Sequence, residues 1–376
     1  MINSMLTKLE TQMRQAAHLQ NQGNLQTALG EYALIFEALR YYEELGYRKE
    51  TALIYSLALA NQPNPAMTLY CHALIQFYLR NYGSALEAIN AALLLAQAII
   101  NYELKGRIHT AQGDFFSASE TFNQIKELDP IYGGVSDSLF MLAAEQEMPG
   151  GDYYDWLQCF HQWLQPSSYV EIGLGHGRSL ALAGSGTRAV GIDPYQGYWD
   201  KLHYVSTHGP AALFPLTSDD FFAKHNLAEV LGHETFDLAF IDGLHLFEQA
   251  LKDFINLERY ARTDSVILIH DCLPIAPVVA ERERCTGFWT GDVWRIMPCL
   301  KTFRPDLKIM TIPAKPSGLG VVTNLDASST LLADNFDEIV RYYLSLRCPE
   351  NFNQLRLLCN AVSADPEYVK QQFCRI

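Results

Sequence analysis

Hydrophobic positions fall into two textures along the chain. Over roughly the first 130 residues, apolar side chains recur at helical spacing among Ala, Leu, Gln and Glu, and strand-like runs are almost absent. That is the period of amphipathic helices. From residue 166 the pattern changes to short β-rich runs: SYVEIGL, RAVGID, FDLAFID, SVILIHD, LKIMTI and GVVTN. LFPLTSDDFF is a further candidate, a third strand ending in Ser218 and Asp219. Helix-like segments lie between most of these runs, and strands alternating with helices predict a parallel α/β sheet. The last two runs are separated only by PAKPSGL, too short for a crossover helix, so they are expected to pair as an antiparallel hairpin at one sheet edge. IYGGVSDSLFMLAAEQEMPGGDYYDW, with two Gly-Gly pairs and a Pro, separates the textures. The expected division is a helical domain over 1–135, a linker over 136–152, an α/β domain over 153–325, and a helical tail over 326–376 packing on the body.

The helical part repeats itself. GNLQTALGEY from Gly23, NYGSALEAIN from Asn81 and GDFFSASETF from Gly113 each place a polar turn before an aromatic residue or Leu. A small residue follows three positions on: Ala28, Ala85 and Ala118. Leu25 and Tyr82 are 57 residues apart, Tyr82 and Phe115 33 apart. The second interval falls one short of a ~34-residue helix–turn–helix period. These segments resemble the tetratricopeptide (TPR) family, and the last one ends KELDP at Pro130, where that family also expects Pro. The resemblance implies stacked helical hairpins with a concave face, for substrate presentation or homodimerisation. A generic antiparallel helical bundle is the alternative. The first interval is no multiple of the period, so a degenerate helical pair is expected around ANQPNPAMTLYCH.

The first β-rich run continues into YVEIGLGHGRSL, where Gly173, Gly175 and Gly177 follow a candidate strand and precede an expected helix and a second strand. Glycine there lets backbone approach a ligand closely, as in nucleotide-binding α/β folds. The dinucleotide fingerprint would put a third Gly where Arg178 stands, which argues against a dehydrogenase. Glu171 lies two residues before the first Gly, and Asp193 ends the next run, placed to accept ribose hydroxyls. An acidic pocket suits a cationic cofactor. VEIGLGHG, GIDP, TSDDFF, FDLAFIDGLH, ILIHD and the closing hairpin together resemble the class I S-adenosylmethionine (SAM) methyltransferases, over roughly residues 151–325. The resemblance implies a Rossmann-like seven-stranded sheet whose last strand inserts antiparallel, preceded here by the TPR-like helical domain. It carries SAM binding to Glu171, Gly173, Gly175, Asp193, Ser218, Asp219 and Asp242.

Asp242, His245, His270 and Asp271 fall at or just past the ends of two neighbouring strands and are expected to converge. Histidine titrates near neutral pH and can take a hydroxyl proton, and carboxylates can hold Mg2+ or another divalent metal. The DGxH segment with a later HD is similar to a subgroup of small-molecule O-methyltransferases. By that resemblance Asp242 and Asp271 are metal ligands and His245 is the base, with Asp242 beside it in the catalytic set. The subgroup's metal-dependent members put an acid or amide beside the second Asp. Here His270 and Cys272 flank it, so His270 joins the candidate ligands and the preference moves toward Mn2+, Fe2+ or Zn2+. Both a metal-dependent and a metal-free site remain open. TGFWTGDVWRIMPCL reads either as an acceptor-pocket wall or as a helix docking its Trp residues into the core. YQGYW could cover the cofactor, and His176 is a structural or cofactor-proximal residue.

Lys plus Arg number 28 and Asp plus Glu 42, a net charge of −14, which disfavours nucleic acid and anionic membranes as partners. The start has no basic run followed by an apolar core, and the longest apolar stretch, AALLLAQAII, is too short to span a bilayer. Eight scattered cysteines without CxxC spacing fit reduced thiols in the cytoplasm. The expectation is a cytoplasmic SAM-dependent methyltransferase acting on oxygen of a hydroxyl or carboxylate. Its acceptor would be a small molecule, or a peptide or protein held by the repeats. A TPR scaffold with an inactive SAM-binding domain is the alternative.

Overall fold

The computed structural model describes residues 65–175, 177–194 and 211–373, with Thr11, Gln12, Gln15 and His18 before them. The repeat at Gly23, all of YQGYW and His176 lie outside the described residues. The chain divides into two compact units, Met1–Leu142 and Ala143–Ile376.

In the first unit, α1 (Pro65–Tyr78), α2 (Tyr82–Leu95), α3 (Ile99–Gln112) and α4 (Phe115–Leu128) follow one another with short turns. Successive helices pack against each other. The small residues of the repeat sit at these contacts: Ala85 and Ala118 are fully buried. A Cβ on Gly106 would meet the Phe122 ring at 2.3 Å, so α3 and α4 approach closely only because that position is bare. Gly113 (φ +75°) closes α3, and Asp114 caps α4 by accepting from the Ser117 amide. These are helical hairpins. The stretch expected as a linker is largely helical, since α5 runs Gly134–Glu147. The Gly-Gly pairs fall at its edges, leaving SDSLFMLAAEQE free of helix breakers.

The second unit is built on seven strands: β1 (Ser168–Ile172), β2 (Arg188–Ile192), β3 (Ala211–Phe214), β4 (Phe236–Ile241), β5 (Ala261–His270), β6 (Lys308–Ile312) and β7 (Leu319–Thr323). They lie in the order β3-β2-β1-β4-β5-β7-β6. The first five are mutually parallel, and β7 inserts antiparallel between β5 and β6. Alternate residues face two cores: Val170, Ile172, Ile241 and Ile269 one way, Tyr169, Leu238, Phe240 and Leu268 the other. Strands buried on both faces explain why the runs read as continuously apolar.

The helix α6 (Tyr153–Leu164) opens on a capping box between Asp152 and Asp155 and buries Trp156, Leu157 and Phe160 against the second face. Past β7, the tail places Leu332, Ile339, Tyr343, Leu355 and Cys359 in the first core. Two expectations need correcting. The glycine loop is followed not by an α-helix but by a single 3-10 turn, Leu180–Leu182. Of the 15 residues between Ile172 and Arg188, five are glycine (Gly173, Gly175, Gly177, Gly184 and Gly186), which disfavours a helix along this crossover. The third strand ends at Phe214, before Pro215. Ser218 and Asp219 open a helix, α7 (Ser218–Lys224), capped by Thr217, and α8 (Leu227–Leu231) follows it.

Candidate active site

The carboxyl ends of β1, β2, β4 and β5 meet at one edge of the parallel sheet. At β1 the chain turns through Gly173 (φ +88°). A Cβ there would stand 1.9 Å from the Asp242 carbonyl oxygen, so glycine is required for the loop to pass the end of β4. Gly175, by contrast, faces open space. Asp193 closes the loop from β2: its Oδ2 accepts from the amides of Leu174 (2.8 Å) and Gly175 (3.3 Å). Glu171 lies fully buried beneath, accepting from the hydroxyls of Ser179 and Tyr169. Burial pushes its pKa up to about 8, against the pull of those two hydrogen bonds. Both its oxygens are therefore turned to the protein. Gln249, on the helix α9 (Phe247–Glu258), donates to Ser218 at 3.1 Å and to Asp219 at 3.0 Å.

Asp242 follows β4, and His245 stands three residues on with φ +61°, just before α9. His270 ends β5, and Asp271 follows with φ +62°. These four side chains converge. Asp242 Oδ1 lies 3.3 Å from His245 Nε2 and 3.2 Å from His270 Nδ1. Asp271 Oδ1 lies 3.3 Å from His270 Nδ1, and its Oδ2 lies 2.9 Å from His245 Nδ1. The hydroxyl of Ser317 meets the far side of His270 at 3.3 Å. Burial works against the charge of all three groups next named. The two histidines outweigh it and hold the Asp242 carboxyl well below the usual range. In turn Asp271 and Asp242 raise His270 above its ordinary value, and Asp271 with Asp242 carries His245 to about 11. Metal-free, His245 is an imidazolium held between two carboxylates.

One contact in this cluster is not a hydrogen bond. His245 Nδ1 and Asp271 Oδ2 are 2.9 Å apart, yet each is a buried polar atom without a hydrogen-bond partner. Two such atoms, close and out of hydrogen-bond alignment, could both turn to one cation. Asp242, His245 and Asp271 each offer a donor atom, all within 4.8 Å of one another. A hollow of about 10 Å3 lies among them, lined also by His270 and Asp253. One nitrogen and two carboxylate oxygens fit a divalent first-row cation. The nitrogen in this group of three is His245's; His270, the expected ligand, lies beside it, 3.2 and 3.3 Å from the two carboxylates.

Two neighbours carried no signal in the sequence. Tyr153, from α6, lays its ring 4.2 Å from that of His270, and Tyr154 holds the Arg178 guanidinium 3.9 Å from its ring centre. Both precede the first strand, where no sequence period ties them to the site.

Residues 170–272 match the family model described as a methyltransferase domain. The match covers the glycine loop, Asp193 and all four converging residues. Over these residues the chain carries a methyltransferase domain. No curated protein matches the chain. Solved structures similar to it include the O-methyltransferase TomG from Streptomyces achromogenes in complex with SAM, at 15% identity over 46% of this chain and 80% of that one, TM-score 0.36. Another is an O-methyltransferase from Bacillus cereus in complex with SAH, at 15% identity over 54% and 97%, TM-score 0.36. A third is cofactor-bound Rv0187 from MTB, at 19% identity over 49% and 87%, TM-score 0.36. Likeness at this level bears on neither acceptor nor metal.

Proposed function

We propose that this methyltransferase transfers its methyl group to an oxygen, in a site where Asp242, His245 and Asp271 hold a divalent metal. The observation that carries the proposal is the pair His245 Nδ1 and Asp271 Oδ2, 2.9 Å apart and unbonded. SAM, when bound, supplies an electrophilic methyl on a sulfonium. The glycine loop and Asp193 position it, Ser218 and Asp219 lie toward its base, and the acidic residues at the strand ends favour its positive charge. A metal would supply polarisation of the acceptor oxygen, making its proton easier to lose. His270 shares its Nδ1 between the two carboxylates and fixes their orientation.

A second reading keeps His245 as a metal-free general base, favoured by its 3.3 Å approach to Asp242. In that reading His245 must first lose a proton that two carboxylates hold to about pH 11. Turnover would then climb through the alkaline range and ignore chelators. Metal dependence predicts the reverse: loss of turnover on chelation and recovery with Mn2+ or Mg2+.

The helical hairpins of the first unit are read as TPR-like, presenting a peptide, protein or small-molecule acceptor, or joining two copies of the chain. No described helix is long and apolar enough to cross a membrane. A cytoplasmic location is part of this proposal. Calorimetric titration with SAH, with and without Mn2+, is the first test. SAH binding enhanced by metal supports the leading reading. Absence of SAH binding by the folded protein moves the weight to an inactive scaffold.

A further inference from the structure

His245 is held by more than the turn that carries it. Its φ of +61° lies in the left-handed region, which costs a residue with a Cβ about 1 kcal/mol. Residues 281–292 press on it from outside. This segment is closed on itself: the Trp289 indole donates to the Glu281 carbonyl at 2.6 Å, and both the amide and the hydroxyl of Thr290 donate to Val279 O at 2.9 Å. It is also staked to α9. The Arg282 guanidinium spans Glu248 (2.8 Å) and Asp292 (2.7 Å). Asp292 Oδ1 accepts from the amide of Phe247 (2.8 Å), doing the capping that Leu246 has no side chain for.

Two contacts land on His245 from this frame. The Trp289 ring lies flat on the imidazole, centroids 5.3 Å apart and planes 11° from parallel. At Gly291 (φ +57°) a Cβ would stand 1.8 Å from the His245 carbonyl oxygen, so the loop backbone abuts the histidine directly. The two tryptophans of this segment divide the roles that the sequence left open. Trp294 is fully buried in the core, whereas Trp289 is half-exposed against the site.

We propose that residues 281–292 form a positioning clamp in which Trp289 and Gly291 fix the imidazole plane of His245, so that its two edges face Asp242 and Asp271. Trp289 and Gly291 are positioning residues; they act through His245. The proposal rests on His245 working with the two aspartates in the chemistry of the site. Partners that orient a ligating histidine commonly matter ten- to a hundredfold for metal affinity.

The test uses the full chain, with Trp289→Ala and Trp289→Phe beside the parent. Two readouts are taken: Mn2+ affinity by electron paramagnetic resonance, and the slowly exchanging imidazole N–H signals that vanish in His245→Gln. SAH affinity serves as the check that the fold is kept. The clamp predicts that Trp289→Ala loses the N–H signals and about tenfold or more in Mn2+ affinity while SAH still binds. Trp289→Phe, which keeps a flat ring, should restore most of both. N–H signals that persist unchanged in Trp289→Ala overturn the clamp, as does their absence from the parent. A parent that shows the signals and yet binds no Mn2+ sinks the metal reading instead, and the N–H comparison still decides the clamp.

Discussion

Replacing Glu171 with Gln is expected to make the protein more stable at neutral and alkaline pH. The carboxyl has no exposed surface, and burial pushes its pKa from 4.5 up to about 8, against the pull of the Ser179 and Tyr169 hydroxyls. An acid whose folded pKa is raised contributes stability that is fully present below its unfolded pKa and is lost as pH rises through the folded one. The window is therefore pH 4.5 to about 8. At ~1.36 kcal/mol per unit, the loss across it is at most about 5 kcal/mol, of which roughly 3.4 kcal/mol has gone by pH 7. Gln keeps the shape and cannot ionise; one hydroxyl can go on donating to its Oε1 while the other turns to accept from its Nε2. After relaxation, the gain at pH 8 should be ~1–3 kcal/mol, falling to near zero at pH 4.5. Urea unfolding of parent and variant at several pH values across the window measures it. Two stability curves that run parallel would refute the reasoning, because the buried carboxyl would then carry no pH-dependent penalty. SAH affinity should hold within a few-fold, since both Glu171 oxygens are already taken by the Tyr169 and Ser179 hydroxyls.

Three further perturbations separate the parts of the unit. His161 is buried with both ring nitrogens unpartnered, and burial lowers its pKa to about 4, so its stabilising share is present above pH 6.5 and lost as pH falls toward 4. His161→Phe should flatten thermal stability over that range by up to ~3 kcal/mol, and an unchanged slope would mean the ring is reached by water. Gly173→Ala drives a Cβ into Asp242 O and should destabilise by more than ~2 kcal/mol; Gly175→Ala, whose Cβ meets nothing, should lose only the ~1 kcal/mol of its left-handed backbone. Equal melting temperatures for the two glycine variants would contradict the packing argument. Asp193→Ala should weaken SAH binding by ~2 kcal/mol, about 30-fold, in calorimetry, and undiminished affinity would remove Asp193 from the cofactor site.

The strands of the second unit were legible because a sheet covered on both faces needs uninterrupted apolar runs, and SYVEIGL, RAVGID, FDLAFID and SVILIHD have them. The hairpin was legible from the shortness of PAKPSGL. What the sequence obscured was local. Thr217 turned an expected strand end into a helix cap, and a glycine-rich crossover replaced an expected helix with one turn. At the site, residue types and strand ends placed Asp242, His245, His270 and Asp271 together. They made His270 the third candidate ligand, and no side-chain pattern announces the left-handed backbone at His245 that the structure shows. Tyr153, Trp289 and Gly291 reach the site through tertiary contacts alone.

The charges of the cluster set a condition on any metal it binds. Asp242 is held ionised, and His245 keeps its proton to about pH 11 because the same two carboxylates that would ligate the metal surround it. A cation cannot share Nδ1 with that proton, so metal binding must expel it, and the carboxylates that raised the imidazole pKa are neutralised in the same event. Binding should therefore strengthen as pH rises through the neutral range, although Asp242 is already ionised there. About one proton should leave per Mn2+ bound at pH 7. Titrating Mn2+ in buffers of different ionisation enthalpy measures that number directly. Tight binding with no proton released would mean that the metal sits on Asp242 and Asp271 alone and leaves the imidazolium in place. His245 could then be neither ligand nor base, and the chemistry of the site would have to be sought at Tyr153 and the glycine loop instead.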